Sequence, residues 1–149
     1  MNLKFRRAFN EEELVKQIVG KLGWDYINSE QVRCVFSHNS TSRALARIWS
    51  TPRIFGYAFG TKPHYVIELL EHKYAQLSEE DKIKVLIHEL LHIPKTFSGA
   101  LSPHIKMAKT LNCRTVDGLF KQYFATLNDE EKQNFKPKSL FDRIIKLKY

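Results

Sequence analysis

The sequence predicts an α+β protein on three observations. Segments of strand length, rich in β-branched and aromatic residues, crowd the middle of the chain. A capped, periodic helical segment precedes them, and helical segments fill the second half. No internal repeat, low-complexity tract or linker divides the 149 residues, so residues 1–149 are expected to form one domain.

The first helix is expected from about Glu11 to Leu22. Asn10 stands where a cap belongs, Glu13 offers the capping-box acid, and Gly23 can end it. Leu14, Ile18 and Leu22 would form its buried stripe. Gln31–Ser37, Ala44–Trp49 and His64–Leu70 then read as strands, giving a sheet of at least three. Pro52, Gly56, Gly60 and Pro63 predict loops around at most one short strand between the last two. Ser78–Ile93 is the clearest helix. Ser78 caps it, Glu79, Glu80 and Asp81 place negative charge at its positive end, and Pro94 stops it. Ser102-Pro103 should open another helix reaching about Leu111. Further helices are expected near Val116–Leu127 and Asp129–Phe135, while the terminal SLFDRIIKLKY fits more than one state.

Composition narrows the function classes. With 43% hydrophobic and 12% aromatic residues the chain can build a packed core. No apolar run approaches the roughly 18–20 residues of a membrane-spanning helix. MNLKFRRAFNEEEL lacks the apolar region of a secretory signal, so a cytoplasmic protein without membrane contact is expected. Cys34 and Cys113 form no CxxC pair and read as small buried hydrophobes. The net charge of +8 is densest in Lys132, Lys136, Lys138, Arg143, Lys146 and Lys148. Such a surface attracts polyanions. No recognisable nucleic-acid-binding motif accompanies it, so solvated surface charge is the preferred reading.

The chemistry concentrates in VLIHELLHIPKTFSGALSPH, residues 85–104. On a helix, His88 and His92 project from one face, one turn apart, so both imidazoles can reach one zinc ion. Glu89 can approach the open side of that ion without displacing a ligand, and there accept a proton from a water that the metal activates. Chance composition yields about 0.02 HExxH matches in a chain like this one, which makes coincidence a poor explanation. Val85, Leu86, Ile87, Leu90, Leu91 and Ile93 leave Glu89 as the one charged residue around the histidines. Buried ionisable groups cost free energy unless satisfied, so a purely structural helix gains nothing from this set. The competing reading keeps His88 and His92 as hydrogen-bonded core histidines.

A catalytic zinc normally takes three protein ligands and leaves one position open. His104 is the best third, because the Gly99 turn lets the chain fold back toward the metal. Asp117 is the alternative. His38, His64 and His72 precede the motif and read as surface or core residues.

HExxH with a downstream third histidine is the signature of zincin metallopeptidases. HELLHIP, followed by FSG, L and PH, resembles the family described as putative phage metallopeptidases, itself related to SprT-like and minimal gluzincin-type peptidases. The resemblance is dense over Tyr65–His104 and thin elsewhere. It implies a compact zincin-like domain in which helices flank a mixed sheet and the motif helix packs on it. It also implies that His88, His92 and His104 are ligands of one zinc per chain and that Glu89 is the catalytic acid/base. Two departures stand out. The His92 to His104 spacing is too long for HExxHxxGxxH, which sets that branch aside. Pro94 falls where such motifs avoid proline, and should end the helix directly after the ligand pair.

The expected function is therefore zinc-dependent hydrolysis of a protein or peptide substrate. That substrate would lie along an edge strand, for which His64–Leu70 is the candidate. Tyr74, Tyr123 and Arg114 are candidates for stabilising the oxyanion. A basic nucleic-acid-associated protein with a structural zinc, or a metal-dependent nuclease, is the alternative, and cobalt, nickel or iron could replace zinc at imidazole ligands.

Overall fold

Tyr65–Leu70 (YVIELL) is apolar at all positions but Glu68, and such strands are stable only where both faces are covered or satisfied. In the computed structural model, which describes residues 2–103 and 113–135, this strand lies inside a four-stranded mixed sheet. The strands are β1 (Lys4–Arg7), β2 (Val32–His38), β3 (Ala46–Ser50) and β4 (Tyr65–Leu70), in the spatial order β1-β2-β4-β3. β2 and β4 run parallel, from Val32 opposite Tyr65 to Ser37 opposite Leu70. The other two pairings are antiparallel, with Lys4 opposite His38 and Ala46 opposite Leu69.

Period-two alternation gives the sheet one helix-covered face. Val32, Cys34 and Phe36 of β2 stand beside Tyr65, Ile67 and Leu69 of β4, and all six are buried. Helix α1 (Phe9–Lys21) packs on β2, and helix α4 (Glu79–Leu91) packs on β3, on α1 and on helix α5 (Cys113–Ala125). Val15, Ile18, Leu86 and Leu90 join the same core. Each such side chain contributes roughly 1.5–3 kcal/mol through burial. Short helices α2 (Arg53–Phe59), α3 (Glu71–Tyr74) and α6 (Asp129–Gln133) and a single 3-10 turn (Ser29–Gln31) complete the described elements. Cys34 is a free thiol with no exposed surface, as a buried hydrophobe should be, and burial pushes its pKa far up.

The other face carries a buried acid. Glu68 receives Arg47 Nε at 2.9 Å, a second guanidinium nitrogen at 3.0 Å and Trp49 Nε1 at 2.8 Å. A buried carboxylate needs such partners, and the register supplies them by setting Arg47 opposite Glu68 on β3.

Several expected elements shift. α1 starts at Phe9, with Ala8 rather than Asn10 as its N-cap. Arg7 clamps Glu12 at 2.7 Å and the Ala8 N–H donates to the Cys34 carbonyl at 2.9 Å, so β1 feeds straight into the helix. Its seam also rotates, because Val15 and Val19 are buried with Ile18 and Leu22. β1 itself was not expected, since KFRR is exposed at all four positions and carries no apolar alternation. α2 replaces the loops expected around Pro52 and Gly60. Pro52 immediately precedes the helix, and Gly60, at φ 63°, ends it in the left-handed conformation that glycine adopts freely. The helix expected from Ser102-Pro103 and the ambiguous terminal segment fall on residues 104–111 and 139–149, outside the described residues. No helix among the described residues is long and apolar enough to cross a membrane.

Candidate functional site

α4 begins with Ser78, whose hydroxyl accepts the Asp81 N–H at 3.1 Å, and ends with His92 as its C-cap two residues before Pro94. The cap and the proline fix the helix limits, and the 3.6-residue period then sets His88 and His92 on one face. Their ring centroids are 5.2 Å apart and nearly perpendicular. His88, Glu89 and His92 are all buried.

The backbone beyond the helix returns to the second histidine. His92 Nδ1 lies 2.6 Å from the Ser102 carbonyl, while the Ser102 N–H donates to the His92 carbonyl at 2.8 Å. A carbonyl only accepts, so Nδ1 carries a proton, and in the neutral ring Nε2 is then the nitrogen with the lone pair. This is the arrangement by which a backbone carbonyl orients a metal-binding imidazole. Tyr65 anchors the returning loop. Its hydroxyl accepts the Gly99 N–H at 2.8 Å and donates to the Ala100 carbonyl at 3.1 Å, and its ring packs 5.0 Å from Phe97. Gly99 has φ 86°, and a Cβ there would meet the Thr51 carbonyl at 3.4 Å.

His88, Glu89 and His92 line one wall of an open cavity of about 720 Å³. Ala44–Ile48 form the adjoining wall, and Leu101, Ser102 and Pro103 line the cavity beside His92. The Ile48 N–H hydrogen-bonds to the Glu89 carboxylate. Burial nevertheless outweighs that bond and pushes the Glu89 pKa up to about 7, so its proton can move near neutrality.

The expected site residues divide clearly. The structure brings His88, Glu89 and His92 together. His104 directly follows the lining residue Pro103 and lies outside the described residues. Among the described residues no three His, Cys, Asp or Glu side chains form a metal group. The donors present nevertheless suit a borderline metal, with two buried imidazoles on one cavity wall, one of them locked with Nε2 as acceptor. Asp117, the alternative ligand, pairs with Lys84 at 3.0 Å and is 40% exposed. His38 contacts Glu71, and His64 and His72 are exposed.

Two expectations are corrected. The strand bordering the cavity is β3, at the edge of the sheet, whereas β4 is enclosed between β2 and β3. Tyr74 and Tyr123 do not line the cavity. Tyr74 is buried beside Phe36, and the Tyr123 hydroxyl donates to Gln17 at 3.0 Å between α5 and α1. The Arg114 side chain lies outside what is described. Ser102, Tyr65 and Ile48 escaped notice because two of them act through backbone atoms and Tyr65 reads as an ordinary strand aromatic.

The family described as "Putative phage metallopeptidase" matches residues 3–117, well over half of the chain. No curated protein and no solved structure matched it.

Proposed function

Because the chain belongs to the phage metallopeptidase family, whose activity implies a metal cofactor, we propose that it is a zinc peptidase of the HExxH type. In this reading His88, His92 and His104 hold the metal and Glu89 is the general base. The observation that carries it is the cavity wall where His88, Glu89 and His92 lie together, with His92 oriented by the Ser102 carbonyl. His104 is the third ligand because the loop that clasps His92 delivers Pro103 to the lining of the same cavity. Zinc bound there supplies a Lewis acid that polarises a carbonyl and lowers the pKa of water.

The chain's own residues do the rest. Glu89 takes a proton from the attacking water and returns it to the leaving amine. The Ile48 N–H holds its carboxylate beside β3. A protein or peptide substrate lies extended along β3, where an edge strand offers backbone groups for pairing.

Metal analysis of the purified chain should find about one zinc per molecule, matching a single three-ligand site. His88→Ala, His92→Ala and His104→Ala should each lose it. Glu89→Gln should retain the metal and lose hydrolysis of an unfolded protein by at least about 100-fold, the scale of general-base catalysis. Parent-like hydrolysis by Glu89→Gln would remove the assigned base, and full zinc retention by His104→Ala would remove the third ligand.

A further inference from the structure

From Gln31 to Ile67 the chain contains no acidic residue, yet Arg33, Arg43, Arg47, Arg53 and Lys62 all fall there. This stretch builds the β3 wall of the cavity and helix α2. α2 exposes a concentration of apolar side chains: Ile54 is 72% exposed, Phe55 51%, Tyr57 93% and Phe59 72%. The Phe55 and Phe59 rings pack 5.8 Å apart into one ridge. Backbone bonds fix the base beneath it, Thr51 N–H to the His64 carbonyl at 3.0 Å and Thr61 N–H to the Gly56 carbonyl at 3.1 Å. Exposed apolar groups clustered in this way mark interaction surfaces.

We propose that β3 and α2 form a docking strip for an acidic, apolar-rich extended segment of the polypeptide being cleaved. The proposal rests on the peptidase reading above and adds the substrate class. Continuity is the first ground. The cavity wall ends at Ile48 and α2 begins five residues on at Arg53, so the two lie no more than about 18 Å apart and a short extended segment can span both. Charge is the second. Arg53 and Lys62 flank the ridge, are exposed and have no ion pair among the described residues. Arg47 is already neutralised by Glu68 and adds little. Cations beside an apolar ridge attract carboxylates at long range, while the ridge itself retains apolar side chains. A polypeptide fits better than single-stranded nucleic acid. Single strands are held by a groove of cations that tracks the phosphates, whereas here Arg53 and Lys62 stand beside a ridge whose larger part is apolar side chain.

The test uses the full chain carrying Glu89→Gln and fluorescein-labelled casein, an acidic unfolded protein, with binding read by anisotropy at low salt. Arg53→Glu with Lys62→Glu should weaken binding about tenfold or more, through lost attraction and added repulsion. Ile54→Ser with Tyr57→Ser removes exposed side chains that the fold does not use, and should weaken it about fivefold. In the parent background both pairs should raise KM for casein by similar factors and change kcat less than about twofold. Binding unchanged by both pairs overturns the strip, whatever the hydrolysis assay shows. Tighter binding of oligothymidylate through the same residues reassigns it to nucleic acid and overturns the proposal. So does displacement of casein by phosphatidylserine vesicles. Pair-sensitive binding without hydrolysis overturns the peptidase reading instead.

Discussion

Helices α4 and α2 carry similar apolar material and do opposite things with it. In α4, Val85, Leu86, Ile87 and Leu90 have no exposed surface. In α2, the four large hydrophobes are exposed by half or more. α4 fits between the sheet, α1 and α5, so its apolar residues stabilise the fold and back His88, Glu89 and His92 with packed apolar side chains. α2 is an excursion between two strands that packs on no second layer among the described residues. Hydrophobicity thus indicates what a segment can bury, while packing decides whether folding or binding uses it.

The largest effect should come from the covered helix. Leu86→Ala should destabilise the chain by about 2–5 kcal/mol, the range for a buried leucine whose cavity only partly collapses. Denaturant unfolding measures it, and a loss under 1 kcal/mol would break the contrast. A smaller effect should appear on β4, in the Glu68 carboxylate that β3 partners. Burial raises its pKa, but hydrogen bonds from Arg47 and Trp49 outweigh burial, so the net shift is downward. The sign follows from linkage. A folded pKa below the unfolded value gives stability that is present above the unfolded pKa and lost as pH falls through the folded one. The stability gap between the parent and Glu68→Gln should therefore be constant from neutral pH to about pH 5 and narrow below about pH 4. A gap that stays constant to pH 3 would contradict the assignment. The smallest effect belongs to α2. Tyr57→Ser should leave stability within about 0.5 kcal/mol, as for surface changes away from structural features. A loss above 1 kcal/mol would show that the fold uses this side chain.

Signals contained within one element were legible in the sequence. Ser78, the acidic first turn and Pro94 set the limits of α4, and the His88–His92 spacing follows from the helical period without reference to any other part of the chain. β2, β3 and β4 also fall within two residues of their expected bounds, because composition at strand length is local too. Illegible features depend on neighbours. β1 is a strand only because β2 offers an edge to KFRR. Pro52 and Gly60 read as loop punctuation, yet the same residue types open and close a short helix. Strand order could not be read either, so β4 was expected at the edge that β3 occupies.

The sequence alone therefore determined which groups share a helix face, where that helix starts and stops, and that its surroundings are apolar. Each of these depends on contacts a few residues apart. Tertiary structure alone decided that Ser102 fixes the His92 tautomer, that Tyr65 holds the loop bringing it there, and that Ile48 meets Glu89. Those contacts join residues 10 to about 40 positions apart, and two of the three act through backbone atoms that every residue possesses. No side-chain pattern can encode them, because they come into being only when the sheet, the helix and the returning loop are packed together.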